Sequence, residues 1–183
     1  TYTDDLLTKI QTNSTTYNFA YGAFSQRTGV YVGTQALATY TYTDNQNRWL
    51  ASIVYGGEET EGEESHSDKV TYSYDGQGRV TEEVYYDDGS ETPSRTISYA
   101  YDNSGNLATV IDSATGITTT YYYDLLDRQV GYREKSATVD HSVTCIYNED
   151  NQIASVTETV NGVTTTYSYT YDEDNRVTAM TVG

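Results

Sequence analysis

YSYDGQGRVT (72–81), YAYDNSGNLA (99–108), YYYDLLDRQV (121–130), CIYNEDNQIA (145–154) and YTYDEDNRVT (169–178) align without a gap. FAYGAFSQRT (19–28) joins them more loosely, and YTYTDNQNRWL (40–50) aligns once a single inserted residue is allowed. Tyrosine stands third in the repeat at Tyr21, Tyr42, Tyr74, Tyr101, Tyr123, Tyr147 and Tyr171. The last five are separated by 27, 22, 24 and 24 residues, a spacing that marks an internal repeat. The segment YTDDLLTKI (2–10) reads as a worn copy.

Each position has a mechanical reading. The fourth is Asp75, Asp102, Asp124, Asn148 or Asp172, with Gly22 as the exception. An Asp or Asn there accepts backbone N–H groups two residues on and starts a turn. The seventh is Gly78, Gly105, Asp127, Asn151 or Asn175, with Ser25 as the exception. Gly, Asn and Asp enter the left-handed region at least cost. Together these residues predict a type I turn closed by a bulge, the chain running up one strand and returning beside itself.

The segments feeding the turns alternate with period two: Val70/Tyr72/Tyr74, Ile97/Tyr99/Tyr101 and Tyr17/Phe19/Tyr21 share one face. Val143/Cys145/Tyr147 follows the same rule, which puts Cys145 in the tyrosine stripe. Such alternation predicts strands with one packed face. The strands leaving the turns carry apolar pairs three apart, Leu50/Ile53, Leu107/Val110, Ile153/Val156 and Val177/Met180. In a regular strand these would point to opposite faces. Either a bulge restores the parity, or both faces are partly covered. Asn161-Gly162 is a strong hairpin signal between repeats, and Thr115-Gly116 and Asp88-Gly89 are weaker ones. The link 134–141 shows no clear turn signal. The expectation is an all-β chain, an antiparallel meander of roughly 14 strands in about seven units spanning 1–183, with almost no helix.

Composition agrees. Tyrosine supplies 21 of the 183 residues, against two Phe, one Trp, one Met and one Pro. A hydroxyl on nearly every large apolar side chain favours thin, half-exposed sheets over a thick dry core. One hairpin of this kind buries too little to offset the backbone entropy lost on ordering, so neighbouring hairpins must support one another. The net charge of −17 disfavours nucleic-acid backbones and anionic membrane surfaces. No stretch is apolar enough for a membrane span. Residues 56–68, GGEETEGEESHSD, read as a solvated acidic loop between units, with docking of a basic partner as the sharper alternative.

The windows YSYDGQGRVT, YAYDNSGNLA and YTYDEDNRVT resemble the YD or RHS repeat, Y-x-Y-D-x-x-G-R/N-L/V-T. LLTKI (6–10), FAYGAFSQRTGV (19–30) and LATYTY (37–42) look like the wall-associated RHS style of firmicute bacteria. The resemblance covers nearly the whole chain except 56–68. It implies a long, curved or spiralling sheet, part of a hollow shell that in bacterial members encapsulates a C-terminal toxin. Teneurins use a similar shell in cell-surface adhesion. The Asp-Pro core motif that ends many bacterial arrays is missing; the one proline, Pro93, follows Thr92. With Thr1 in place of Met and no effector after Gly183, the expectation is an excised slice of shell wall. The implied setting is a large bacterial protein, secreted or attached to the cell surface or wall. The implied partners are flanking repeats of the same chain, a C-terminal effector or a glycan, with edge-mediated pairing between copies.

Sites of other kinds fare worse. The histidines, His66 and His141, and the lone Cys145 suggest no nucleophile with a positioned base, so no catalytic residue is assigned. Asp172-Glu173-Asp174-Asn175 and Asn148-Glu149-Asp150-Asn151 lack the calcium-loop pattern, and turn chemistry accounts for every residue in them. No metal and no cofactor is expected. A tyrosine face that binds carbohydrate or a partner protein is the alternative to a structural role.

Overall fold

The computed structural model describes residues 1–56 and 67–183, in which every regular element is a strand. Most of the acidic stretch assigned to 56–68, residues 57–66, lies outside the described residues. The chain divides into two compact units, Thr1–Thr96 and Ile97–Gly183. The first unit holds β1 (Tyr2–Thr3), β2 (Leu6–Leu7), β3 (Lys9–Gln11), β4 (Thr16–Tyr21), β5 (Arg27–Val32), β6 (Gln35–Tyr42), β7 (Leu50–Tyr55), β8 (Asp68–Tyr74) and β9 (Val80–Tyr86). β10 (Arg95–Tyr101) begins as the first unit ends. The second holds β11 (Leu107–Asp112), β12 (Ile117–Tyr123), β13 (Gln129–Lys135), β14 (Asp140–Tyr147), β15 (Ile153–Val160), β16 (Val163–Tyr171) and β17 (Val177–Val182). Strands β3 to β17 form one 15-stranded sheet in strict chain order.

The strand number exceeds two per repeat because residues 2–11 break into three short pieces. Asp4 and Asp5 both take positive φ, 50° and 63°, which folds β1 and β2 into a separate ribbon with Tyr2 opposite Leu7. At the link 134–141, β13 and β14 are joined by a turn that the sequence reading did not signal. Ser136 N–H donates to the Val139 carbonyl (2.9 Å), and the Ser136 hydroxyl accepts the N–H of Val139 (3.1 Å). A serine hydroxyl standing in for a backbone acceptor is a weaker cue than Asx or Gly.

Of the two explanations for the apolar pairs three apart, the structure selects the bulge. In each Tyr-Asx hairpin the pairing skips one residue on the returning strand. Ala100 faces Thr109 while Tyr101 faces Leu107, leaving Ala108 extra. Ile146 faces Ser155 while Tyr147 faces Ile153, leaving Ala154 extra. The same slip omits Thr28, Ala51, Thr81, Val130 and Thr178. The extra residue is the tenth of the repeat, and it returns the ninth and twelfth residues to one face. In the copy at 40–50 this makes Leu50 ninth and Ala51 tenth, so that copy carries two inserted residues and not the one expected.

The two faces of the sheet therefore differ in chemistry. One carries most of the tyrosines with their cross-strand partners: Tyr40 with Ile53, Tyr99 with Val110, Tyr121 with Tyr132, Cys145 with Val156 and Tyr169 with Met180. The other is rich in Thr and Ser, whose hydroxyls meet across strands at Thr41–Ser52 (2.7 Å), Thr157–Thr166 (3.1 Å) and Thr159–Thr164 (2.9 Å). Among the described residues no large side chain is fully buried, and the apolar positions below a tenth exposure are Ala38 and Val70. The sheet is a thin one, stabilised along its length by interactions between neighbouring hairpins.

Candidate functional site

The tip of each hairpin is built around the fourth residue. Asp75 Oδ1 accepts the N–H of Gln77 (2.9 Å) and of Arg79 (3.0 Å). Asp102 does the same for Ser104 and Asn106, Asp124 for Leu126 and Arg128, and Asp172 for Asp174 and Arg176. Asn148 accepts Asp150 and Gln152 with its amide oxygen, so an uncharged Asx oxygen serves the turn as a carboxylate does. The seventh residue sits in the left-handed region throughout: Gly78 (φ 83°), Gly105 (98°), Asp127 (57°), Asn151 (63°) and Asn175 (64°). Ser25 (61°) and Arg48 (48°) take the same conformation, so the looser copies keep the backbone while losing the preferred residue.

Two bonds then connect one hairpin to the next. The third-position hydroxyl donates to the ninth-position backbone carbonyl of the preceding repeat. Tyr42 reaches Arg27 (2.7 Å), Tyr74 reaches Leu50 (2.7 Å), Tyr123 reaches Leu107 (3.0 Å), Tyr147 reaches Gln129 (2.9 Å) and Tyr171 reaches Ile153 (2.8 Å). Tyr21 makes the equivalent bond to Leu7 (2.8 Å). Tyr101 lies opposite Leu107 in its own hairpin. Loss of solvent raises the phenol pKa of Tyr42, Tyr74 and Tyr123, which keeps these hydroxyls protonated donors.

The second connection comes from the eighth residue, which the sequence reading passed over. Asn106 Nδ2 donates to Asp127 (2.9 Å), Arg128 Nη1 to Asn151 (2.5 Å) and Gln152 Nε2 to Asn175 (2.7 Å). The seventh residue thus shapes its own turn and receives its neighbour's side chain. Arg128 also holds Asp124 (2.7 Å) and lies over the Tyr147 ring at 4.4 Å. Trp49 fills the corresponding place in the first unit. Its ring is 5.1 Å from Tyr74, and a Cβ on Gly78 would come within 2.8 Å of it. The available signal was the run Arg79, Asn106, Arg128, Gln152, Arg176, each a planar side chain with N–H donors.

The turn carboxylates are depressed by the same bonds. The Arg128 guanidinium first, then the N–H groups of Leu126 and Arg128, hold Asp124 below the usual carboxylate range against partial loss of solvent. At Asp172 the N–H of Arg176 leads and its guanidinium follows. At Asp75 and Asp102 loss of solvent pushes upward and the turn donors outweigh it.

Nothing in these tips converges on a reacting atom. Among the described residues no group of three or more His, Cys, Asp or Glu side chains is arranged to hold a metal ion. Among them no helix is long and apolar enough to cross a membrane. What recurs is a joint between consecutive hairpins.

Turn, bulge and joint define a tandem β-hairpin repeat scaffold. Residues 4–182 match the model of the teneurin YD-shell family, and the chain belongs to that family. Its fold is similar to that of a chain in the crystal structure of TcdB2-TccC3 without its hypervariable C-terminal region, with TM-score 0.72 and 16% identity over 89% of this chain. A chain of the Photorhabdus luminescens Tc holotoxin pore is similar with TM-score 0.68 and 13% identity, again over 89% of this chain. The present chain spans 9% of the length of each. No curated protein matches its sequence.

Proposed function

We propose that this chain is a wall element of a YD-repeat shell, with residues 1–183 acting as one array of about seven units. In this reading Tyr21, Tyr42, Tyr74, Tyr101, Tyr123, Tyr147 and Tyr171, with the Asx and Gly residues of the fourth and seventh positions, hold the wall together and catalyse nothing. The shell encloses or presents an effector carried C-terminally in the same large bacterial protein, outside the cell or on its surface. Flanking repeats are its immediate partners, and strand edges left bare in an isolated slice pair with other copies.

The observation that carries this reading is the recurring bond from a third-position hydroxyl to the ninth-position carbonyl of the repeat before it. The same bond weakens the alternative of a glycan-binding face. Tyr21 and Tyr42 border an open groove of about 430 Å³ with Tyr40, Arg27 and Leu50. Both of those hydroxyls already donate to backbone carbonyls, so neither is left to donate to a sugar.

Limited proteolysis of the chain within its longer natural sequence tests the proposal. The segment after the array is expected to resist protease until the wall is opened by Tyr123→Ala combined with Tyr171→Ala. Equal cleavage of that segment before and after the double substitution would exclude encapsulation.

A further inference from the structure

One histidine departs from the repeat. His141 is the second residue of β14 and lies on the tyrosine face, at a place held by Thr15, Asp68, Arg95, Ile117 and Thr165 in other hairpins. Its Nδ1 is 3.2 Å from Glu134 Oε2 on β13, and its Nε2 is 2.9 Å from Glu158 Oε1 on β15. The three side chains thus span three consecutive strands and tie the β12–β13 hairpin to the β14–β15 hairpin. The Tyr132 ring closes the group edge-on, with centroids 5.6 Å apart at 86°.

A neutral imidazole has one N–H and one bare lone pair. Facing two carboxylates, it can donate to one and must turn its lone pair toward the other. Only the imidazolium donates to both. From that geometry we propose that Glu134, His141 and Glu158 form a proton-operated clasp between two hairpins, closed when His141 is charged and slack when it is neutral.

The surroundings leave the two glutamates as the dominant charges on the ring. From β13, Tyr132 shares the face with Glu134, while Arg133 and Lys135 point to the other face and are engaged by Asp140 (3.0 and 2.6 Å). On β14 itself, Cys145 is the next titratable group of the face. β15 places Val160 opposite His141, and Glu158 in turn faces Thr165 of β16. Beyond β13, β12 contributes Thr119 opposite Glu134 and Tyr121 opposite Tyr132. The hydrogen bond to Glu134 is the largest influence and raises the pKa of His141 above its ordinary 6.5; burial opposes it, and the bond to Glu158 with the charges of both glutamates outweighs that opposition.

The sign follows from linkage. A histidine whose pKa is higher folded than unfolded adds stability that is fully present below the unfolded value. That contribution disappears as pH rises through the folded value. Local opening of β13–β15 becomes rarer, up to tenfold for each unit of upward shift. The wall therefore tightens on mild acidification, as long as both glutamates stay ionised.

The test uses the full chain. Histidine ring resonances are followed by NMR through the pH range, with His141 assigned by its loss in His141→Gln. Hydrogen exchange, corrected for intrinsic rate, is compared at about pH 5.5 and about pH 8.5. The expected result is a His141 midpoint above 6.5 and several-fold greater protection of β13–β15 amides at the lower pH. That difference should vanish in His141→Gln and shrink in Glu158→Gln, with β4–β6 unaffected. A midpoint at or below 6.5, or a pH difference that survives His141→Gln, overturns the clasp. Neither outcome bears on whether the shell encloses an effector.

Discussion

Replacing Tyr74 by Phe removes one oxygen from one joint and leaves the ring in place. The lost interaction is the 2.7 Å bond to the Leu50 carbonyl. The ring keeps its 5.1 Å contact with Trp49. Because the joint is half-buried, water can reach the abandoned carbonyl, and the full penalty of an orphaned buried acceptor does not arise. The expected loss is one net hydrogen bond, about 1 kcal/mol. With a urea dependence of roughly 1–3 kcal/mol/M, the midpoint falls by about 0.3–1 M. Trp49 is the single tryptophan of the chain and touches the altered residue, so its fluorescence reports on this joint directly. Tyr55→Phe is the control, since Tyr55 is exposed and outside the third-position series. Tyr74→Ala also removes the ring and should cost about 3 kcal/mol, at the low end for aromatic truncation because the site is half-exposed. If Tyr74→Phe matches Tyr55→Phe within error, the hydroxyl contributes nothing and the proposed joint is wrong.

Gly78→Ala meets two obstacles, a φ of 83° and a Cβ within 2.8 Å of the Trp49 ring. It should lower stability by about 1–2 kcal/mol in the same urea assay, whereas Gly116→Ala has a positive φ but no neighbour within 4 Å and should cost less. The depressed carboxylates set an acid limit: a group whose pKa is lower folded than unfolded adds stability above the ordinary carboxylate value and loses it as pH falls through the folded one. Circular dichroism through an acid titration should therefore show unfolding below about pH 4. Asp124→Asn, which keeps the amide oxygen used by Asn148, should fold at neutral pH but with less stability than the parent, lose less of it on acidification, and unfold at the same or a slightly higher pH; an unchanged neutral-pH stability and pH dependence would show that the Asp124 charge contributes nothing.

The hairpins were legible in the sequence because Tyr, Asx and Gly each answer to a local demand that one residue type meets best. Strand alternation, turn position and the odd spacing of Leu107 and Val110 all surfaced as patterns, although the last left two explanations open until the register resolved it. The joints were harder to foresee. The acceptor for Tyr171 is the backbone of Ile153, and a carbonyl carries no mark of residue type. Arg128, Gln152 and Asn106 act alike through planar N–H groups while differing in charge and length, which hides them from a comparison of identities. The Ser136 turn and the three-piece start at 2–11 escaped for a related reason: short, weakly coded segments take their conformation from what they adjoin.

That the tyrosine hydroxyl lands on main chain has an evolutionary corollary. The ninth position is Arg27, Leu50, Leu107, Gln129 or Ile153 in turn, and every one offers the same oxygen. A newly duplicated or recombined hairpin therefore finds its partner ready whatever its neighbour's side chains. Such cassettes can be gained, lost or shuffled with no matching change next door, and lineages can lengthen or shorten the array one hairpin at a time.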